Sequence, residues 1–441
     1  DNYGNLALVL PPKLTEAVVS DGSLVAGHSG MVDKLGYRYA YDDRNRMVKK
    51  KLPERRTEYV AYDALDRPVS MGPVKSPFGD EGLGTIVTKY DKLDRVAYTL
   101  WKPGWFNEQG LTPPTNNGGL SEERTSGTSF TDINGVEIGY TNDVSPTSGV
   151  HVLTVNYYDD YAWPDGPSSI PSTVGTGDIA VGYNNTAGNT PKGLPTGGWV
   201  RILETTSDHD GKVSYTLYDA KSRPVRDRVD YPTGGYTQID TKYDFPGKVL
   251  YTLTKHKRAT SDPLQTVRED FTYDSRQRLI KHTHKVNNGA TRLLAYNTYD
   301  ELGQLKSKKT GGTNVSAGTY LQKVDYTYNV RGWLTDINDV DGLNTNPVDL
   351  FALKINYNGS LLEDVNGEVL PLYNGNISEL SWRTSSDNEK RHYSFSYDRL
   401  NRLLDAWYSR PNAANPLTGE YNEHLTYDHN GNVNSLERYG G

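Results

Sequence analysis

The chain has 441 residues, enough for two to four ordinary domains or one large repetitive architecture. It is 35% hydrophobic, with 33 Tyr, 43 Gly and 23 Pro against 7 Phe and 3 Met, which argues against one thick apolar core and for strands with a wet face. A net charge of -7 with both signs interspersed excludes a nucleic-acid footprint, zero Cys excludes disulfides and thiolate metal sites, and no apolar run approaches the roughly 20 residues of a membrane helix.

Residues 1–30 read as a lead-in. They begin at Asp1 without an initiator Met or a signal-peptide pattern, so the chain is expected to be a piece of a longer polypeptide. Ser29 beside His28 lacks the G-x-S-x-G spacing of a nucleophile elbow, and no nucleophile is assigned there. Neither here nor elsewhere does a helical stripe with caps stand out, so strand–turn–strand structure is expected almost throughout.

Residues 31–100 introduce a six-residue pattern that recurs ten times in the chain: Tyr, Asp, two variable residues, a turn-former and usually a base. The first copies start at Tyr41-Asp42, Tyr62-Asp63 and Tyr90-Asp91. Between them the basic run Lys49-Lys50-Lys51 with Arg55-Arg56 reads as a solvated strand or loop edge.

Residues 101–200 are rich in Gly, Pro, Thr and Asn and hold only a degenerate copy, YDDYAW at Tyr158. They read as an irregular insertion decorating the same sheet. Trp101 and Trp105 (LWKPGWF) are the best candidates for stacking on glycans, although aromatic packing is the preferred reading of the seven Trp.

Residues 201–441 resume the repeat at Tyr218-Asp219, Tyr243-Asp244, Tyr273-Asp274, Tyr299-Asp300, Tyr328-Asn329, Tyr397-Asp398 and Tyr427-Asp428. The starts from Tyr218 to Tyr328 lie 25, 30, 26 and 29 residues apart, about two strands and two turns. A β-propeller blade would need about 40–45 residues. Asn374-Gly375, in the gap after Tyr328, signals a tight hairpin. His282 and His284 share a strand face but lack a third metal ligand, and Asp208–Gly211 and NDVDG (338–342) fail the calcium-loop pattern, so all are read as strand faces or turns.

The fifth position explains the repeat physically. It holds Gly, Asn or Asp in eight of ten copies, the residues that tolerate positive φ. An Asp or Asn in second place accepts backbone N–H bonds two residues on. Together they specify a type I hairpin turn closed by a left-handed residue. The sixth residue, Arg in six copies, can lie across a neighbouring Tyr or pair with the turn Asp. The regularity of the Asp slot points to a shared structural task, so catalytic residues, cofactors and metals are all expected to be none.

This YDxxGR pattern resembles the YD repeats of Rhs proteins, teneurins and the cocoon component of Tc toxins. LALVLPPK (6–13), YNVRGWLTDIN (328–338), YNGNISELSW (373–382) and LTYDHNGNVNSLERYG (425–440) resemble Rhs proteins of Bacteroidetes in particular. The resemblance implies an all-β hairpin ribbon spiralling into a hollow shell that continues beyond the chain end. Such a shell encloses or presents a C-terminal polypeptide, often a toxin, in a secreted or cell-surface protein. Implied partners are that cargo or the remaining shell, and the export machinery. The DPxGL-type core motif of the family is absent, so its self-cleaving carboxylates are assigned to no residue here. The alternatives are an adhesin or glycan-binding module on the same scaffold, and an enzyme within 101–200.

Overall fold

The computed structural model describes residues 3–21, 27–80, 82–105, 120–125, 129–186, 188–358, 369–414, 416–417 and 419–440, without the side chains of 17–21. It comprises two compact units: Asp1–Lys242 with Leu253–Thr266, and Tyr243–Thr252 with Val267–Gly441. Both are nearly all-β, and in both the chain folds back on itself hairpin after hairpin.

In the first unit Leu8–Val9 pairs with Tyr37–Tyr41. Each strand then pairs antiparallel with the next through Met47–Lys51, Thr57–Tyr62, Pro68–Lys75, Leu83–Tyr90 and Val96–Pro103. His151–Tyr158 continues the series, followed by Pro195–Arg201, Gly211–Tyr218, Pro224–Asp230 and Gly234–Tyr243. Among the described residues, 101–200 thus contribute the end of Val96–Pro103, all of His151–Tyr158 and most of Pro195–Arg201 to this ladder. Their remainder supplies two small hairpins beside it, Thr131–Ile133 with Val136–Ile138 and Thr173–Val174 with Ile179–Ala180.

The first of those hairpins builds the apolar core of this unit. Ile133, Val136, Ile138 and Tyr140 close over Val87, Tyr98, Leu100, Val152, Val155 and Tyr157. The rings continue the packing, with Tyr140 stacked on Tyr157 at 5.9 Å and Tyr157 on Trp163 at 4.5 Å.

The second unit runs from Val267 by the same rule, each strand pairing antiparallel with its successor as far as Glu423–Tyr427 with Val433–Arg438. Part of its buried face is polar. Ser381 stands opposite His392, which stands opposite Ser409, and Glu379 stands opposite Ser394.

Among the described residues, two helices depart from the expected strand-only chain, Pro12–Asp21 and Ser29–Leu35. Pro12 in the first turn suits a helix start. Both are too short for a repeating stripe, and each shows one deeply buried anchor among its described side chains, Leu14 or Val32.

Candidate functional site

The recurring site is the hairpin turn, and Tyr62–Arg67 shows its construction. Asp66 N–H donates to the Asp63 carbonyl at 3.1 Å, and Asp63 N–H donates to the Arg67 carbonyl at 3.0 Å. Asp63 Oδ1 accepts from the N–H of Leu65 (2.9 Å) and of Arg67 (3.0 Å), while Oδ2 accepts from Arg67 Nε at 2.7 Å. One carboxylate therefore closes the turn and holds the arginine that leaves it. Asp42, Asp91, Asp219, Asp274 and Asp398 each bond the backbone and Nε of their own Arg in the same way.

Asn329 keeps the backbone half of the arrangement, bonding Trp333 N–H at 3.1 Å, and Asp300 bonds Gln304 N–H at 2.8 Å. Asp244 and Asp428 bond the N–H of Lys248 and Asn432. The fifth residue has positive φ in all ten turns, from 58° at Asn45 to 109° at Gly247. Tyr itself marks a slip in strand register, as between Ala61 and Tyr62 or Thr272 and Tyr273, which adds local twist.

The arginine also reaches the next repeat. Arg46 lies 4.6 Å over Tyr62, Arg67 4.6 Å over Tyr90, Arg278 4.4 Å over Tyr299 and Arg402 4.6 Å over Tyr427. Lys248 does the same over Tyr273 at 4.7 Å. The covered Tyr returns the contact. Tyr62 OH donates to the Met47 carbonyl at 3.0 Å, Tyr90 OH to Pro68 at 2.9 Å and Tyr427 OH to Leu403 at 2.8 Å. Where the next turn offers an acid, a second ion pair forms, Arg46 with Asp66 at 2.5 Å and Arg67 with Asp94 at 2.6 Å. The two roles weighed for Arg thus operate together, one clamping its own turn and the other the next.

Two further copies fill the gaps. Tyr158 takes the Tyr slot beneath Arg95 at 4.3 Å and donates to the Val96 carbonyl at 3.2 Å, while Asp159 pairs with Arg95 at 2.6 Å. Its turn has expanded, because Asp159 N–H bonds the Leu194 carbonyl at 3.1 Å across the intervening insertion. Tyr357 likewise donates to the Leu334 carbonyl at 3.1 Å, with Trp333 packed on its ring at 5.1 Å. The available signals were the bare dipeptides Tyr158-Asp159 and Tyr357-Asn358.

The electrostatics follow from this geometry. Hydrogen bonding from the Arg46 side chain holds Asp42 below the usual carboxylate range, and the Asn432 side chain does the same for Asp428. Burial pushes the Tyr218 hydroxyl up to about 12. Apart from the turns, Lys89 and Glu122 form a buried pair at 3.3 Å, and Glu122 also accepts from Thr141 Oγ1 and the N–H of Asp143 and Val144. Burial pulls the Lys89 ammonium below its ordinary value.

The remaining sequence candidates are placed as follows. Trp101 is 2% exposed, edge-on to Phe78 at 5.8 Å, and packed so closely that a Cβ on Gly84 would meet its ring at 2.7 Å. Its ring presents no open face to a sugar. Trp105 is partly buried against the apolar core. Ser29 opens the second helix.

His282 is stacked on Phe271 at 4.5 Å and bonded to Glu269 at 3.0 Å, and His284 stands opposite Glu269 and Arg292 in the ladder. Asp208 Oδ1 accepts from Asp210 N–H within its loop, and Asp341 pairs with Lys390. Among the described residues no group of three or more His, Asp or Glu is arranged to hold a metal ion. Sequence reading missed the set Ser381, His392 and Glu379, whose residue types suit hydrolysis. His392 Nδ1 is 2.8 Å from Ser381 Oγ and Nε2 3.7 Å from Glu379 Oε1, but all three are buried, which leaves a substrate no approach.

No protein-family model and no curated protein matches the chain. Among solved structures it is similar to a TcdB2-TccC3-Cdc42 complex, with 13% identity and a TM-score of 0.26 over 97% of this chain and 18% of that one. The Photorhabdus luminescens Tc holotoxin pore with a TccC3 variant gives 12% identity and a TM-score of 0.29 over 97% and 18%. TcdB2-TccC3 without its hypervariable C-terminal region gives 10% and 0.23 over 91% and 24%. The chain therefore spans only about a fifth of the length of the structures it matches.

Proposed function

We propose that this chain is a stretch of β-sheet wall in an Rhs-type exported or surface protein, of the kind found in Bacteroidetes, and that the wall encloses or presents a C-terminal polypeptide, a toxin or effector. One observation carries the reading: the Asp–Arg–Tyr linkage recurs in both units and ties turns to the tyrosine of the following repeat. The acids, arginines and tyrosines of these turns are engaged in holding the sheet together. A wall works by exclusion, and a ladder in which every hairpin pairs with the next has few free edges.

On this reading the role is structural, without catalysis or a cofactor, and the partners are the enclosed polypeptide, the rest of the shell and an export apparatus. Protease protection of the gene product that contains this chain tests it. The C-terminal polypeptide should resist digestion until urea unfolds the ladder. Digestion at the rate of the free polypeptide, with the ladder intact, would overturn the reading.

A further inference from the structure

The basic run near residue 50 separates into engaged and unengaged cations. Lys50 pairs with Glu58 at 2.9 Å, Lys49 lies 5.5 Å over Tyr59, and Lys51 Nζ donates to the Arg55 carbonyl. The side chains of Arg55, Arg56 and Lys75 have no ion-pair or hydrogen-bond partner among the described residues. All three instead line a cavity of about 480 Å³ in the first unit. It opens between the turn linking Met47–Lys51 to Thr57–Tyr62 and the far ends of Pro68–Lys75 and Leu83–Tyr90.

Of the two acids in the lining, Glu58 is already neutralised by Lys50, which leaves Glu54 alone against three cations. The contrast with the turn ladder is informative, because there each arginine in sixth place meets its own aspartate. Gathering like charges is unfavourable unless something neutralises them, and here the described protein residues supply too little. Guanidinium groups present planar forks that match the oxygens of carboxylate, sulfate or phosphate. Pro73, Val74 and Leu83 give the same cavity a half-buried apolar wall. Its volume lies within the range of roughly 300–1,000 Å³ common for small-ligand sites.

We propose that this cavity binds a small ligand carrying an oxyanion on a body with an apolar face. The cations hold the oxyanion, and Pro73, Val74 and Leu83 hold the body. The site is separate from the turn ladder and does not depend on the wall reading.

Titration calorimetry of the full chain with phenyl phosphate, phenyl sulfate and benzoate tests the proposal, and the tightest of the three identifies the preferred oxyanion. Saturable binding is expected with at least one probe. Arg56→Gln and Lys75→Gln should each weaken it about tenfold or more, the loss of one charge-assisted contact. Arg399→Gln, an exposed cation of the second unit, should leave it unchanged. The three positions are exposed, so circular dichroism should report the same fold in every variant. Absence of saturable binding at millimolar concentrations of all three probes, or equal binding by the parent and Arg56→Gln, would overturn it.

Discussion

Replacing Asp63 with Ala tests how much one turn carboxylate contributes to the ladder. Its side chain is 5% exposed and Arg67 is 9% exposed, the most enclosed of the turn pairs. The substitution strips two backbone N–H groups and Arg67 Nε of their acceptor. Breaking a buried pair by removing one partner costs about 3–5 kcal/mol. Arg67 keeps Asp94 and the Leu120 carbonyl, so the lower end, about 3 kcal/mol, is expected. Asp63→Asn retains an acceptor oxygen and loses only the charge, for about 1–2 kcal/mol.

Asp43→Ala is the control. Asp43 is exposed and has no side-chain partner among the described residues, so the change should stay within about 0.5 kcal/mol. Urea unfolding measures the difference, and amide exchange across residues 57–75 localises it, because repeats couple chiefly to their neighbours. Equal stability of Asp63→Ala and Asp43→Ala would refute the structural role assigned to the turn carboxylate.

Four other outcomes are expected. Glu122→Gln should destabilise by about 3 kcal/mol or more in thermal unfolding, because it leaves the Lys89 ammonium buried without its counter-charge. Gln277 has a φ of 66°, so Gln277→Gly should raise stability by up to about 1 kcal/mol in the same assay. Because the folded-state values of Asp42 and Asp428 lie below the ordinary 3.8, their contribution is complete above that value and is lost as pH falls through the lowered ones. Acid titration followed by circular dichroism should therefore show the ladder weakening below about pH 4, less steeply in Asp42→Asn. The raised value of Tyr218 has the opposite sense: its contribution is complete below 10 and is lost as pH rises through about 12, which an alkaline titration would record.

The turn was legible because its physics is local. A left-handed fifth residue and an acceptor in second place must lie within six residues, so the pattern survives in the sequence at the ten regular copies. The copy at Tyr158 was legible only as the degenerate YDDYAW, and the copy at Tyr357 was missed, since only the dipeptide Tyr357-Asn358 remains. What identifies them is a partner far along the chain, Arg95 or Trp333 over the ring. The Lys89–Glu122 pair was hidden for the same reason, 33 residues apart and with no periodicity to link them. Trp101 looked available because Gly and Pro surround it in sequence. Its burial comes from Phe78 and from the missing Cβ of Gly84, which no local reading reveals. The two helices escaped notice because a segment of two or three turns shows too few apolar positions to set a period.

Electron microscopy of the gene product that contains this chain bears most directly on the wall. A sheet wall built from hairpin ladders predicts a hollow particle with density inside it. A solid particle without a lumen would contradict enclosure and leave the ladder as a scaffold for surface binding.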